Sequence, residues 1–317
     1  MEQIQVIPYE DSFHEQVVQL YQAVTAKYKH ACFWWPGPKP NHENVYCAFA
    51  GDLLIGKGQV EIISIQSLDE ASGGAESSVR TEESFHHIYL NIKVRPDVFA
   101  QQEVFQSLYS AVYERALVLA QGLPKTHPVQ ICVGNNEEET ENSNLFVKNG
   151  FTPLYRQYEM ERELYDMQEA PDFCIPELHF IQSAIESMEE EQRYLRTEST
   201  IWPQSPLGLH RLRWLKGKAH FTSFAAYDTE QELVASIIVC QEDETLGAVE
   251  EVFVVPAWQK KGIATHLIKC GLKYLQEKGY PKAMLCVQAE NDNALELYRA
   301  LGFAISGEEH RYSKPLV

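Results

Sequence analysis

The chain has no uninterrupted apolar run long enough to cross a bilayer, so nothing in it reads as a transmembrane helix. Its opening residues, MEQIQVIPYED, lack the basic flank and the apolar core of a secretory signal. Basic residues are outnumbered: 27 Lys and Arg stand against 45 Asp and Glu, a formal net charge of −18, which argues against nucleic acid as a partner. The same balance would attract a cationic small molecule, although solubility alone is its commoner use. The seven cysteines, at 32, 47, 132, 174, 240, 270 and 286, are odd in number and form no C-x-x-C pair. Reduced, mostly buried thiols are expected, above all Cys132, Cys240 and Cys286, which lie in apolar, strand-like runs. Both glycine signatures of common nucleotide folds, G-x-x-x-x-G-K-[ST] and G-x-G-x-x-G, are missing. From these features a cytoplasmic globular protein is expected, with no membrane or nucleic-acid partner and no metal site.

What the chain has is length and pattern. With 317 residues, 44% of them hydrophobic, it can bury two cores, so two domains are expected. The segment from Met167 to Pro176 carries two prolines and acidic residues between periodic stretches and reads as the linker.

The densest chemistry lies in Val254–Ala264, VVPAWQKKGIA. Upstream, Ala248–Val255 is rich in β-branched and aromatic residues and ends at Pro256, which cannot donate to a sheet ladder. Downstream, Ile263, Leu267, Ile268, Gly271, Leu272 and Leu275 recur at helical spacing, so a helix starts near Gly262. The unpaired N–H groups of its first turn and the positive end of its dipole form a natural seat for an anion. Gly262 lets the backbone approach that anion, Lys260 and Lys261 add positive charge, and Thr265 adds a hydroxyl. A diphosphate suits the pocket.

These residues resemble a known family. Val254, Pro256, Gln259, Gly262 and Ala264 match V-x-P-x-x-[QR]-x-x-G-x-[GA], the acyl-CoA loop of the GNAT superfamily of N-acyltransferases. A second block agrees: after a strand Ala283–Gln288 come Asn291, Ala294, Leu297, Tyr298, Gly302 and Phe303, similar to the family's N-x-x-A-x-x-L-Y-x-x-x-G-F segment. The resemblance implies an α/β (mixed α+β) fold of two GNAT-like domains, each a mixed, mostly antiparallel twisted sheet flanked by helices. It also implies acetyl-CoA as co-substrate, held by Phe253, Val254, Val255, Gln259, Lys260, Lys261, Gly262, Ile263, Ala264, Thr265 and Asn291. Gln259 replaces the more frequent arginine and Lys260 the usual glycine; a side chain at 260 calls for ordinary backbone angles.

The expected domains are 1–166 and 172–317, and the first repeats the order of the second. In the second, Leu178–Gln182 reads as a strand, Ala184–Leu195 as a helix, Leu207–Leu215 as another helix or turn, and His220–Tyr227 and Leu233–Gln241 as strands. In the first, Gln3–Pro8, helical Phe13–Val24, Val45–Ala50 and Leu53–Ile65 open the same plan, followed by a long acidic loop Ser67–Glu83. Val94 and Pro96 match Val254 and Pro256; Phe146, Gly150 and Phe151 match Tyr298, Gly302 and Phe303. After Pro96, however, comes DVFAQQEVFQSLY, with neither the glycine nor the lysine of the loop, and a phenylalanine stands where the tyrosine should be. The first domain is therefore expected to be degenerate and without a CoA site.

Acylation of an amine by a thioester needs a base for the amine, a polarised carbonyl and stabilisation of the leaving thiolate. Glu250 and Glu251 are the candidate bases; strand alternation sends one carboxylate to each face. Tyr298 is the candidate acid, and it also belongs to an apolar stripe with Ala294, Leu297 and Leu301. Asn291 suits an N-cap. By resemblance, the acceptor site includes Thr200–Pro206 and Ser306–Tyr312, with Trp202 and Tyr312 as lining candidates and Trp34 and Trp35 as more distant ones. The expected reaction is direct acetyl transfer to the primary amine of a small molecule. A peptide amine, or a non-catalytic acyl-CoA sensor or scaffold, is the alternative, and the sequence says nothing of the oligomeric state.

Overall fold

The computed structural model describes residues 3–64, 85–98, 100–165, 173–203 and 206–316. The expected loop Ser67–Glu83 and linker residues 167–172 lie outside the described residues. The chain forms two compact units.

The first unit contains β1 (Ile4–Pro8), α1 (His14–Lys27), β2 (Val45–Ala50), β3 (Leu53–Ser64), β4 (His86–Val94), α2 (Gln101–Gln121), β5 (Val129–Asn136) and α3 (Thr140–Lys148). Strand β6 (Thr152–Glu163) begins here. The sheet order is β1-β2-β3-β4-β5-β12, its last strand being supplied by the C-terminus of the chain, β12 (Ala304–Leu316). Glu309–Leu316 of that strand pair antiparallel with Val129–Asn136.

The second unit contains β7 (His179–Ser183), α4 (Met188–Ile201), α5 (Gly208–Lys216), β8 (Thr222–Tyr227), β9 (Leu233–Gln241), β10 (Leu246–Val254), α6 (Ile263–Glu277), β11 (Lys282–Gln288) and α7 (Asp292–Ala300). Its sheet order is β7-β8-β9-β10-β11-β6, closed by Gln157–Glu163 paired antiparallel with β11. The unit boundaries therefore differ from the contiguous spans 1–166 and 172–317, because residues 157–163 complete the second unit and 307–317 the first.

Both units set a parallel pair beside antiparallel ones, β4 with β5 and β10 with β11. The repeat extends to single residues. Gly150 and Gly302 both have φ of 86°, and each is followed by a phenylalanine whose N–H returns to Phe146 O or Tyr298 O. These are the left-handed ends of α3 and α7, where a Cβ would be strained.

The second sheet buries apolar residues on both faces. Ile263, Leu267, Ile268, Leu272 and Leu275 of α6 cover one face with Leu295, Tyr298 and Leu301. Tyr194, Leu195, Leu212 and Leu215 of α4 and α5 cover the other, against Ile238, Ala248 and Phe253. Helix α4 starts at Met188 rather than at Ala184, because Ser187 caps it: its hydroxyl accepts from Glu190 N while Glu190 accepts from Ser187 N. Cys132 and Cys240 are buried as expected, whereas Cys286 is exposed, since alternation along β11 turns Leu285 and Val287 inward instead.

Candidate active site

Strands β10 and β11 part company early. Their parallel pairing covers only Leu246–Ala248 against Lys282–Met284, although the strands run on to Val254 and Gln288. Backbone polar groups along the open stretch are thus left to a ligand. Val255 N is spent on Val234 O, and Val254 O accepts from the Gln259 side chain at 3.0 Å. By alternation the N–H of Val254 points into the gap, so of the expected trio Phe253, Val254 and Val255 it is Val254 whose donor faces there.

The loop then turns through two left-handed residues. Gly262 has φ of 82°, and a Cβ there would lie 3.3 Å from the Phe173 ring. Lys260 has φ of 61°, so the expectation of ordinary backbone angles at 260 is not met. The loop keeps the conformation that glycine would take, at a cost of roughly 1–2 kcal/mol. Lys261 lays its ammonium over the Trp258 ring at 4.2 Å, which fixes one positive charge beside the turn. No side chain caps α6 and no acidic residue lies in its first turn, so the N–H groups of Ile263, Ala264 and Thr265 remain for an anion. By contrast α7 is capped, Asn291 accepting from Ala294 N at 3.2 Å.

Upstream, β10 breaks its own rhythm. Its register with β9 slips between Glu250 and Phe253, and Glu251 has φ of 50°, the mark of a β-bulge. The bulge flips the alternation: Ala248 and Phe253 face α4 and α5, while Val249, Val252 and Val254 face α6. The two glutamates are consequently not sent to opposite faces, and the charges of both reach Tyr194 of α4. Glu251 is pushed up to about 7 by burial and by the neighbouring charge of Glu250, with Arg211 opposing. Glu250 is raised by burial and held down in part by Arg211, whose guanidinium lies 4.0 Å away.

Tyr298 is buried on α7, its ring edge-on to Phe303 at 6.1 Å. Burial pushes its phenol up to about 12, and Glu251 adds to the shift. Glu251 thus lies within the electrostatic reach of both Glu250 and Tyr298, on the strand that leads into the Gly262 turn.

Three further residues belong to this cluster: Tyr194, Glu198 and Arg211. Glu198 is 1% exposed; its Oε2 accepts from Leu207 N at 3.1 Å, while its Oε1 has no partner. Burial and the charge of Glu251 raise it to about 9. A signal existed in the sequence, since Glu198 interrupts the apolar stripe Tyr194, Leu195, Ile201 at helical spacing. Other expected positions fall elsewhere. Tyr312 pairs with Val133 and belongs to the first unit's sheet, because β12 takes its register from β5. Trp202, at the end of α4, is 42% exposed. Trp34 and Trp35 belong to the first unit, where Trp35 packs against Tyr21 and Phe33.

Comparison with known proteins agrees with this geometry. Residues 184–303 match the Acetyltransferase (GNAT) family. Over 72 residues the chain is 42% identical to a mycothiol acetyltransferase of Renibacterium salmoninarum, covering 23% of this chain and 21% of that protein. The chain therefore spans about a fifth of the length of this relative. A GCN5-related N-acetyltransferase from Sphaerobacter thermophilus shares the fold over 98% of this chain and 95% of its own, with a TM-score of 0.70 at 15% identity. A tandem GNAT protein from the clavulanic acid biosynthesis pathway does so over 99% and 98%, with a TM-score of 0.66 at 11% identity. The whole chain thus shares the fold of these two structures, and within it residues 184–303 are similar to the Acetyltransferase (GNAT) family.

Proposed function

We propose that the second unit transfers an acetyl group from acetyl-CoA to a primary amine of a small molecule, by direct attack in a ternary complex. The observation that carries this reading is the bulge at Glu251, just beyond the point where β10 leaves β11; the carboxylate there has a near-neutral pKa and its charge is felt by Tyr298. The acetyl donor agrees with the name of the mycothiol acetyltransferase relative.

Acetyl-CoA supplies the acetyl group as an activated thioester. The first-turn N–H groups of α6 and Lys261 suit its pyrophosphate, and the Val254 N–H suits the amide-bearing arm. Glu251 accepts the proton that the amine loses as its nitrogen attacks the carbonyl carbon. A free alkylammonium has a pKa near 10.4, so a carboxylate poised at about 7 is a far better acceptor than one at 4.5. As the carbon–sulfur bond breaks, the electron pair goes to sulfur. Tyr298 donates a hydrogen bond to that sulfur. Outright proton transfer from a phenol at about 12 to a thiolate of pKa ~8.5 would be uphill by roughly 5 kcal/mol, so Tyr298 stabilises the thiolate and solvent protonates it.

The first unit is proposed to lack this function. Between Val94 and Pro96, the counterparts of Val254 and Pro256, a small cavity of about 30 Å³ is flanked by Lys93 and Glu139. That space suits about one water. The two side chains pair at 2.5 Å, both almost fully buried, and Phe146 stands in place of Tyr298. Where an anion would sit before α2, Asp97 is tied to Arg95 at 2.9 Å.

The test is release of CoA thiol from acetyl-CoA across amines, aminoglycosides and peptides. Turnover of a small amine supports the reading. Tight acetyl-CoA binding without release from any acceptor replaces it with a coenzyme sensor.

A further inference from the structure

Around the bulge of β10 the charges do not balance. The charges of Glu198, Glu250 and Glu251 all act on Tyr194, and among the described residues the one cation within an ion-pair distance of any of them is Arg211, at 4.0 Å from Glu250. That guanidinium is already occupied, lying over the Trp214 ring at 4.0 Å. Lys218 also acts on Glu250 and pairs with Glu242 at 2.6 Å. Glu198 and Glu251 have no positive partner of their own among the described residues. Two buried polar atoms also lack any hydrogen-bond partner, Glu198 Oε1 and Tyr194 Oη, in side chains only 1% and 3% exposed. An unmatched acceptor and an unmatched hydroxyl at such depth are costly, and natural proteins retain them mainly where something else satisfies them. Glu250 and Glu251 are partly exposed, so the cluster opens at β10 and closes at α4.

We infer that the acceptor is an aliphatic diamine or longer polyamine, whose reacting amine meets Glu251 while its second ammonium is held by Glu198 and Tyr194. This rests on the acetyl-transfer reading of the same site. An ammonium has three donors and no acceptor, which suits Glu198 Oε1 and the Tyr194 hydroxyl oxygen together. It also brings positive charge to Glu250 and Glu251, and on binding it displaces the proton that burial keeps on Glu198. Glu251 is partly exposed and Glu198 is buried, so the reacting amine is assigned to Glu251 and the far end of a linear ligand to Glu198. A monoamine would leave the inner carboxyl unmatched, and an amino alcohol would bring no charge.

The experiment compares 1,4-diaminobutane, n-butylamine and 4-amino-1-butanol, both in thiol release and in calorimetric binding without acetyl-CoA. Native protein is expected to prefer the diamine at least tenfold in kcat/KM and in Kd. Glu198→Gln retains an oxygen for Leu207 N but cannot ionise to meet the second ammonium, so its diamine-to-monoamine ratio should fall to about one; Tyr194→Phe should lower the ratio several-fold. A native ratio near one, or a Glu198→Gln ratio equal to the native one, overturns the inference even if monoamines turn over well. Conversely, preferential diamine binding that Glu198→Gln abolishes, with no thiol release from any amine, supports the subsite while refuting the proposed catalysis.

Discussion

Replacing Glu198 by glutamine should make the protein more stable at neutral pH, which is an unusual outcome for a buried position. The Glu198 carboxyl is raised from 4.5 to about 9 in the folded protein, by burial and by Glu251. Between those values the folded chain holds a proton that the unfolded chain has released. Native stability is therefore fully present below pH 4.5 and falls as pH rises toward 9, by about 1.4 kcal/mol per unit. At pH 7 the accumulated cost is about 3 kcal/mol. Glutamine does not titrate and can still accept from Leu207 N, but its amide donors lack partners, which offsets roughly 1 kcal/mol. The net gain is about 2 kcal/mol at pH 7, or a rise in Tm of roughly 4–8 °C for a unit of this size. The assay is thermal unfolding of native protein and Glu198→Gln from pH 4 to 8. The difference should grow with pH and disappear near pH 4. A variant less stable than native at pH 7, or a difference that ignores pH, would refute the reasoning.

Other expectations concern catalysis and assembly. Glu251 must lose its proton to serve as base, so kcat/KM should rise with pH through about 7; Glu251→Gln should remove that limb and lower kcat/KM by roughly 10²–10⁴-fold, and a surviving limb would assign the base elsewhere. Tyr298→Phe should cut kcat roughly 10- to 100-fold with KM for acetyl-CoA little changed, the value of one hydrogen bond to a charged sulfur; an unchanged kcat would reduce Tyr298 to a packing residue. A chain truncated to residues 172–317 loses the strand that pairs with β11 from Lys282 to Gln288, so it should be insoluble or unfolded, as size-exclusion chromatography and circular dichroism would show. A soluble, fully active fragment would contradict that.

Much of this architecture is legible in the sequence because it rests on local pattern. The strand before Pro256, the helix after Gly262 and the cap at Asn291 each follow from residue type and spacing, and all three lie where expected. Repetition also shows through, since the pairs Val94/Val254 and Gly150/Gly302 recur in equivalent places. Long-range pairing is what local pattern does not carry. Nothing in EEHRYSKPL says that these residues pair with Val129–Asn136, which sets Tyr312 opposite Val133. The bulge at Glu251 is equally hidden: its left-handed angle belongs to a residue that rarely adopts one, and it moves both glutamates to one side. Glu198 was visible in principle as a charge within an apolar stripe, but its meaning depends on Glu251, 53 positions away in sequence.

The central claim is that the second unit alone holds a working acetyl-CoA site, at the turn around Gly262. Calorimetric titration of the full chain with acetyl-CoA tests it most directly, alongside Gly262→Asp, whose carboxylate would stand where the pyrophosphate belongs; aspartate tolerates the left-handed angle better than most residues. One molecule bound per native chain, and none bound by a folded Gly262→Asp, is the predicted result. Two molecules per chain, or undiminished binding by the variant, would contradict it.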